Sequence, residues 1–587
     1  MNANKVRPQR VVTRARLAAP ALLAVAVFWG QAPPPSSPGT QVIVQAGTLA
    51  RASAVVREAG GSVTRDLTII NAVAATVTPE QERQVAKRCP ECRVYSDRST
   101  KVMSGGTSSP LDTAFPTLVG AASLHANNIT GLGITVAVID SGFLDNTGNT
   151  LNSQGFTRIK AQYDAFTGVV RTSDFVTDDE YGHGSHIVGI IGGSNKTDNG
   201  LYQGVAPDVD LVSVKAFDAN GGSTYSAVID AVGWVVAHKE QYNIRVMNGS
   251  FGALVGSWYW DDPMNQAIMR AWQAGIVVVV SAGNTGPDPM TILAPGNVPY
   301  VITVGAMTDH YTPNTGNDDY LATFSAAGPT YEAHAKPDLV APGGHDLSSI
   351  QRTSTLGVQF PQFFIDSTSE YYRLSGTSQA AAVVSGVAAL MLQANPSLSP
   401  DDVKCGMMAT ATAAMKANGG SAYSVFQQGS GLVRADAAVI EGHTGCANAG
   451  LDINADLAGT QHFAGMAAQL PDGSYYLADT SGPGTLWSGT VAGTNGYPWS
   501  NGFPWSNGYP WSNGYPWSDQ ADAADSTTAT ESITGADATL VRGSRMKAGN
   551  SMKPGKQPKP RKYLRVPGRV LKSTRSRIEV VKPADQQ

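Results

Sequence analysis

An acid, an imidazole, a hydroxyl and an amide occur along this chain in settings that nucleophilic catalysis could use. In Val136-Ala137-Val138-Ile139-Asp140-Ser141-Gly142 an acid ends an apolar run, and open α/β sheets carry their active sites beyond the carboxyl ends of such strands. Gly182-His183-Gly184-Ser185-His186 delivers a histidine between glycines at the opening of an apolar segment. Leu374-Ser375-Gly376-Thr377-Ser378 leads straight into an Ala-rich stretch with helical character, so Ser378 falls in a first turn whose free N–H groups can hold an oxyanion. Ser281-Ala282-Gly283-Asn284 brings an amide to the end of another buried run, a candidate second oxyanion donor. A serine hydroxyl is a poor nucleophile at neutral pH; it needs a base in reach, and the base needs an orienting group. Singly, each motif has a bland meaning, since a strand-end Asp forms turns and a Ser before such a helix caps it. His183 and His186 stand three apart with no Glu beside them, which is not the zinc-peptidase spacing, so no metal is expected there.

Bringing these groups together requires a sheet. From about Gly131 the chain alternates strand and helix signals, the mark of a parallel sheet covered on both faces. Near-continuous Val/Ile runs predict strands at 134–139, 211–215, 244–247, 276–280 and 300–304. Helices are predicted at 225–238, 263–274 and 378–393, the last apolar nearly all round and so expected to run through the core. Residues 41–98 read differently, as a small βαββαβ unit. It has a strand at 41–45, a helix at 49–59, two strands within 63–77, a helix start at Thr78-Pro79-Glu80-Gln81 and a last strand at 93–95.

A chain of 587 residues exceeds one compact core, and 42% hydrophobic against 15% charged residues excludes a wholly disordered protein. The 63 glycines follow no three-residue period, which excludes collagen, and four cysteines are too few for a disulfide-dense scaffold. No uninterrupted apolar run reaches 18 residues, so a polytopic membrane protein is not expected. Lys5, Arg7, Arg10, Arg14 and Arg16 precede an apolar run at 17–30, the pattern of a secretory signal, assigned to 1–32; the alternative, an uncleaved anchor, has a run short for a span. Residues 495–518 form four tandem hexads, Asn-Gly-(Tyr/Phe)-Pro-Trp-Ser, either a small stacked turn array or an extended solvated tract. Residues 541–587 hold 14 Lys/Arg against Glu579 and Asp585, so the net −4 divides into +12 for this tail and −16 for the rest. The whole of 519–587, acidic then basic, reads as disordered.

The order Asp140, His183, Ser378 resembles that of the subtilases, the subtilisin-like serine peptidases. Further blocks carry the resemblance over about 115–440: Gly204-Val205-Ala206-Pro207, Asn248-Gly249-Ser250-Phe251-Gly252, Phe324-Ser325 with Gly328-Pro329, and Lys336-Pro337-Asp338-Leu339-Val340-Ala341-Pro342-Gly343. It implies a doubly wound, mostly parallel α/β sheet with helices on both faces as a peptidase domain at 112–442. An inhibitor-like, ferredoxin-like α+β propeptide would precede it at 41–100. A short segment at 446–494, the repeats and the tail would follow. It implies a secreted serine endopeptidase acting on proteins or peptides, made as a precursor inhibited by its own propeptide, with no cofactor needed for the chemistry. Ser378 would attack, His183 would carry its proton to the leaving amine, and Asp140 would hold the imidazole. Asn284 and the Ser378 N–H would hold the oxyanion. Gly221-Gly222-Ser223 and Ser250-Phe251-Gly252 would flank the cleft and pair with an extended peptide as added strands.

Calcium often accompanies this family, and Asp174, Asp178, Asp179 and Glu180 could bind a structural ion or form a solvated acidic loop. Cys405 and Cys446 bracket the end of the peptidase domain; in an exported protein a disulfide is expected, the alternative being a zinc site shared with Cys89 and Cys92. The rival function is an inert peptidase fold that binds surfaces through the aromatic hexads and basic tail; an inert scaffold has no need of Asp140, His183, Asn284 and Ser378 together. Nucleic acid is not expected as a specific partner, because the basic tail has no binding fold behind it and would touch anionic surfaces nonspecifically. Two positions depart from the family pattern: Gln379 stands where Met follows the nucleophile, and Ala382 where Pro stands four residues after it. Ala is benign in a helix. Gln379 removes a thioether beside Ser378, so Ser378 should keep its reactivity towards a fluorophosphonate after mild peroxide that inactivates Met-bearing relatives. Rapid loss of labelling in timed peroxide exposure would refute this.

Overall fold

The computed structural model describes residues 39–102, 114–197, 200–309, 319–416, 421–469 and 474–477, with the backbone of the strands Gly105–Gly106, Val570–Thr574 and Arg577–Val580. The predicted signal and the hexads lie outside the described residues.

The N-terminal unit is an antiparallel sheet in the order Ser62–Leu67, Ala72–Val77, Thr40–Gln45, Arg93–Ser96, with the helices Leu49–Glu58 and Pro79–Arg88. Thr78 caps the second helix in a capping box with Gln81, and Pro79 opens it, where a missing N–H does no harm. Period two divides the strands between two environments. Val42, Val44, Val73, Ala75 and Val77 pack on the unit's own helices through Val55, Val56 and Val85. Ile43, Ala72 and Ala74 face the other way, into the main core. A sheet buried on both faces explains why 72–77 is apolar at nearly every position.

The main sheet has nine strands. From one edge they run Tyr320–Leu321, Ile302–Thr308, Val277–Ser281, Ile244–Gly249, Thr135–Asp140, Asp210–Lys215, Ile159–Asp164 and Val169–Arg171, with Leu339–Pro342 also paired to Ile302–Thr308. The inner pairings are parallel, and the two edge strands Tyr320–Leu321 and Val169–Arg171 are antiparallel. Thr135–Asp140 and Val277–Ser281 are buried along their whole length, as their Val/Ile runs require. Ile159–Asp164 escapes a search for such runs: Lys160 is exposed, and Gln162 bonds the backbone of Val176 with both ends of its amide. Thr377–Ala394 is buried from Thr377 to Leu392; it is the described helix long and apolar enough to cross a membrane, and here it runs through the core.

Two expected boundaries need correction. The peptidase packing does not stop at 442, because buried Asp456 in the helix Ile453–Leu457 accepts from the Tyr259 and Tyr300 hydroxyls at 2.5 and 3.1 Å and from His462 Nδ1 at 2.6 Å. Nor is the tail wholly without structure, since Val570–Thr574 and Arg577–Val580 form an antiparallel hairpin on His462–Phe463. The net charge of the tail conceals Val, Leu and Ile in this stretch, a β-prone composition. The cysteines form two bonds, Cys89–Cys92 and Cys405–Cys446, and so no four-cysteine zinc site. The second bond spans 41 residues, a crosslink worth about 4 kcal/mol in the chain-entropy model.

Removing the acceptor that ties the C-terminal segment to the core should be costly. Asp456→Ala removes the shared acceptor of two hydroxyls and an imidazole in the interior and should cost about 3 kcal/mol, read by denaturant melting. A loss under about 1 kcal/mol would show the segment to be peripheral.

Candidate active site

Asp140 ends the central strand Thr135–Asp140, and His183 opens the helix His183–Gly192; both are buried. His183 Nδ1 lies 2.8 Å from Asp140 Oδ1. A carboxylate only accepts, so Nδ1 carries the proton and Nε2 is left with its lone pair. Nε2 is buried and has no hydrogen-bond partner among the described residues. Asp140 Oδ1 also accepts from the Ser141 N–H at 2.8 Å, which fixes the carboxylate plane. The helix can approach the strand end this closely because residue 184 is glycine: a Cβ there would stand 2.4 Å from the Gly142 carbonyl oxygen.

Asp179 sets the position of that helix. Its carboxylate, buried, accepts from the Gly182 and Ser185 N–H groups, both at 2.7 Å, and from Ser141 Oγ at 2.8 Å. Ser141 Oγ in turn accepts from the Gly184 N–H at 2.9 Å. A negative charge at a helix N-terminus is favoured by the aligned peptide dipoles. The neighbouring acids Asp178 and Glu180 have protein partners of their own. Asp178 accepts from the Phe143 N–H at 2.9 Å, with its carboxyl raised to about 6 by burial, while Glu180 pairs with Lys215. Among the described residues these carboxylates do not gather into one ligand shell. His186 Nε2–H donates to the Tyr372 carbonyl at 3.0 Å, and burial lowers its pKa to about 3.

Ser378 stands in the first turn of Thr377–Ala394. Its Oγ donates to the Ser250 carbonyl at 3.1 Å rather than to His183, and Ser250 Oγ donates back to the Ser378 carbonyl at 3.0 Å. Asn284 Oδ1 accepts from the Thr377 N–H at 3.0 Å and from Thr377 Oγ1 at 2.9 Å. Both lone pairs of the amide oxygen are therefore engaged next to Ser378, which leaves the Asn284 NH₂ to donate elsewhere. The sequence motifs pointed to Asp140, His183, Asn284 and Ser378 but not to Ser141, Asp179 or Thr377. The available signal was Asp179 three residues ahead of Gly182, a spacing at which an acid can cap the helix that follows.

Gly221, Gly222, Ser223, Phe251 and Gly252 line a slot that the chain itself fills, while Ser250 beside them is bonded to Ser378. The strand Ser99–Val102 lies between Gly222–Thr224 and Phe251–Gly252, antiparallel to both. The Val102 N–H adds a bond to the Gly221 carbonyl at 3.2 Å. The Phe251 side chain points away from the slot, into the core against Phe217. Gly105–Gly106 then pairs with Leu374–Ser375, just ahead of Ser378. The proposed boundary at 100 thus falls inside a strand. Upstream, Arg98 pairs with Asp262 at 2.5 Å, Arg65 with Asp230 at 2.6 Å, and Asp97 accepts from the Ser226 N–H at 2.8 Å.

A family model described as the Subtilase family matches residues 131–431. Serine protease AprX of Bacillus subtilis (strain 168) is 35% identical over 351 residues, which span 57% of this chain and 73% of that protein. Subtilisin E of the same organism is 29% identical over 376 residues, 64% of this chain and 84% of its own. The extracellular serine proteinase of Thermus sp. (strain Rt41A) is 31% identical over 351 residues, 59% and 72% of the two chains. Among solved structures, fervidolysin from Fervidobacterium pennivorans, described as a keratinolytic enzyme related to subtilisin, shares the fold at a TM-score of 0.55 and 22% identity. That match covers 70% of this chain and 62% of the other. The chain belongs to the subtilase family and is a serine endopeptidase.

Asp179 touches no reacting atom, so its removal should act through the placement of His183. Asp179→Ala should lower kcat/KM on the order of 10- to 100-fold, mostly in kcat, with a fall in Tm. A loss confined to KM would overturn this role.

Proposed function

We propose that this endopeptidase is secreted and made as a self-inhibited precursor, with Asp140, His183 and Ser378 as its catalytic triad. The observation that carries the reading is the slot filled by Ser99–Val102, a segment of the chain's own N-terminal arm held between two strands as an extended peptide substrate would be. Secretion is supported by the cationic and apolar start of the chain, by two disulfides, which persist in oxidising compartments, and by the likeness to the extracellular serine proteinase of Thermus.

For catalysis the Ser378 hydroxyl swings from the Ser250 carbonyl to His183 Nε2, the nitrogen whose lone pair the Asp140 bond leaves free. Oγ attacks the scissile carbonyl carbon as its proton passes to Nε2. The Ser378 N–H and the Asn284 NH₂ hold the resulting oxyanion. The C–N bond then breaks, the leaving amine takes the proton from Nε2, and water repeats the sequence on the acyl-enzyme. Asp140 stabilises the imidazolium throughout without becoming protonated.

The first substrate is the chain itself. The N-terminal arm pairs with Phe251–Gly252 as far as Val102 and with Leu374–Ser375 from Gly105, so the bond cut lies between Val102 and Gly105. Wild-type protein should yield an N-terminal fragment ending within that window, identified by intact mass. Ser378→Ala should accumulate with residues 40–102 attached and resist fluorophosphonate. Equal processing of the variant in a host without other peptidase activity would sink the reading.

A further inference from the structure

Within Ser99–Val102 the side chains alternate: Ser99 and Lys101 are exposed, while Thr100 is 2% and Val102 is 8% exposed. A connector between two folded units needs no buried side chains, and flexible ones are rich in Gly and Ser. Here two of four side chains are instead seated in the peptidase. The Thr100 hydroxyl donates to the Gly252 carbonyl at 3.0 Å, a bond additional to the strand pairing and one that reads the side chain. Val102 joins the main core cluster. Its Cγ2 and the Tyr181 ring close on residue 221 from the open side, coming within 2.9 and 2.7 Å of where a Cβ would stand there. Gly221 has φ +70°, so both its backbone and the space above it call for glycine. The seat for Val102 is therefore narrow, walled by the ring of the residue two before His183 and floored by bare backbone.

We infer that the cleft is selective at these two positions: it prefers threonine at the place of Thr100 and a short β-branched apolar residue at the place of Val102, with little discrimination at the exposed place between them. This rests on the reading that Ser99–Val102 occupies the substrate site. The preferred substrates are extended peptides that carry Thr-Xaa-Val, cut at one of the three bonds that follow Val. A hydroxyl-reading site discriminates against the isostere that lacks the hydroxyl, because the bond to the Gly252 carbonyl is lost while the shape still fits.

The test uses the mature enzyme, freed of its N-terminal unit, and acyl-peptide p-nitroanilides built on Thr-Lys-Val, Thr-Lys-Val-Met and Thr-Lys-Val-Met-Ser, which cover the three bonds. Replacing Thr by its isostere Val should lower kcat/KM about tenfold, and replacing Val by Phe should lower it by more. Replacing Lys by Glu should change it by no more than about twofold, as an exposed side chain carries little selectivity. In the full-length precursor, Thr100→Val should slow self-cleavage in proportion. Equal rates for the Thr and Val peptides would overturn the inference and leave the peptidase reading standing. Failure to cut any of the peptides, by an enzyme that still takes up fluorophosphonate and digests unfolded protein, would overturn the claim that this segment marks the substrate site.

Discussion

A carboxylate withdrawn from water at the end of the central strand is the constraint on which the site depends. Charge burial is expensive unless hydrogen bonds replace hydration, and Asp140 has few groups to supply them. One is the adjacent Ser141 N–H, and another is His183 Nδ1. The second comes from a different element, so the helix bearing His183 is held within hydrogen-bond reach of the strand end. Asp179 and Ser141 lock that helix start, and Gly184 permits the approach. A second buried acid thus stabilises the backbone that delivers the imidazole to the first.

The same economy governs the serine. Its helix is buried on nearly all sides, so its N-terminus cannot rely on water for its free N–H groups. Asn284 Oδ1 takes the Thr377 N–H, and Gly376 N–H bonds to Gly343 at 2.8 Å. What remains in the first turn is the donor capacity closest to Ser378. The reciprocal bonds between Ser250 and Ser378 tie the wall of the cleft to the nucleophile. Ser250 and Ser378 on one side, and Asn284 and Thr377 on the other, therefore hold the start of this helix by hydrogen bonds from two different strands' ends.

Groups whose role is set by local pattern were legible in the sequence. Asp140 follows a Val/Ile run, Ser378 precedes an Ala-rich one, and buried parallel strands such as Val277–Ser281 announce themselves by composition. Groups whose role depends on a distant partner were not. Asp179 looks like one acid among several until the fold brings Ser141 against it, and Asp456 is an ordinary helical acid until Tyr259 and Tyr300 converge on it from elsewhere. Ile159–Asp164 hides because its polar members are satisfied by a neighbouring loop. The hydroxyl of Ser378 shows the limit most directly: residue types announce a nucleophile, while only the fold turns it to the Ser250 carbonyl and sets the chain's own arm in the slot at Phe251–Gly252.

That occupation links the small N-terminal unit to the chemistry. Its sheet has two apolar faces, one for its own helices and one for the peptidase, so the unit binds by the same side-chain alternation that folds it. Arg65 and Arg98 meet Asp230 and Asp262 at the join, and pairs of this kind fix orientation more than they add affinity. With the unit seated, the arm that follows enters the slot already extended, and the ordering entropy a free peptide would lose has been lost in folding. In the proposed precursor the side-chain contacts of Thr100 and Val102 then add to an advantage already secured by the tether. Cutting the arm removes that advantage at once, because the two halves then bind as separate molecules. In the precursor proposed above, the geometry that would block the cleft is also what would make a single bond cleavage sufficient to release it.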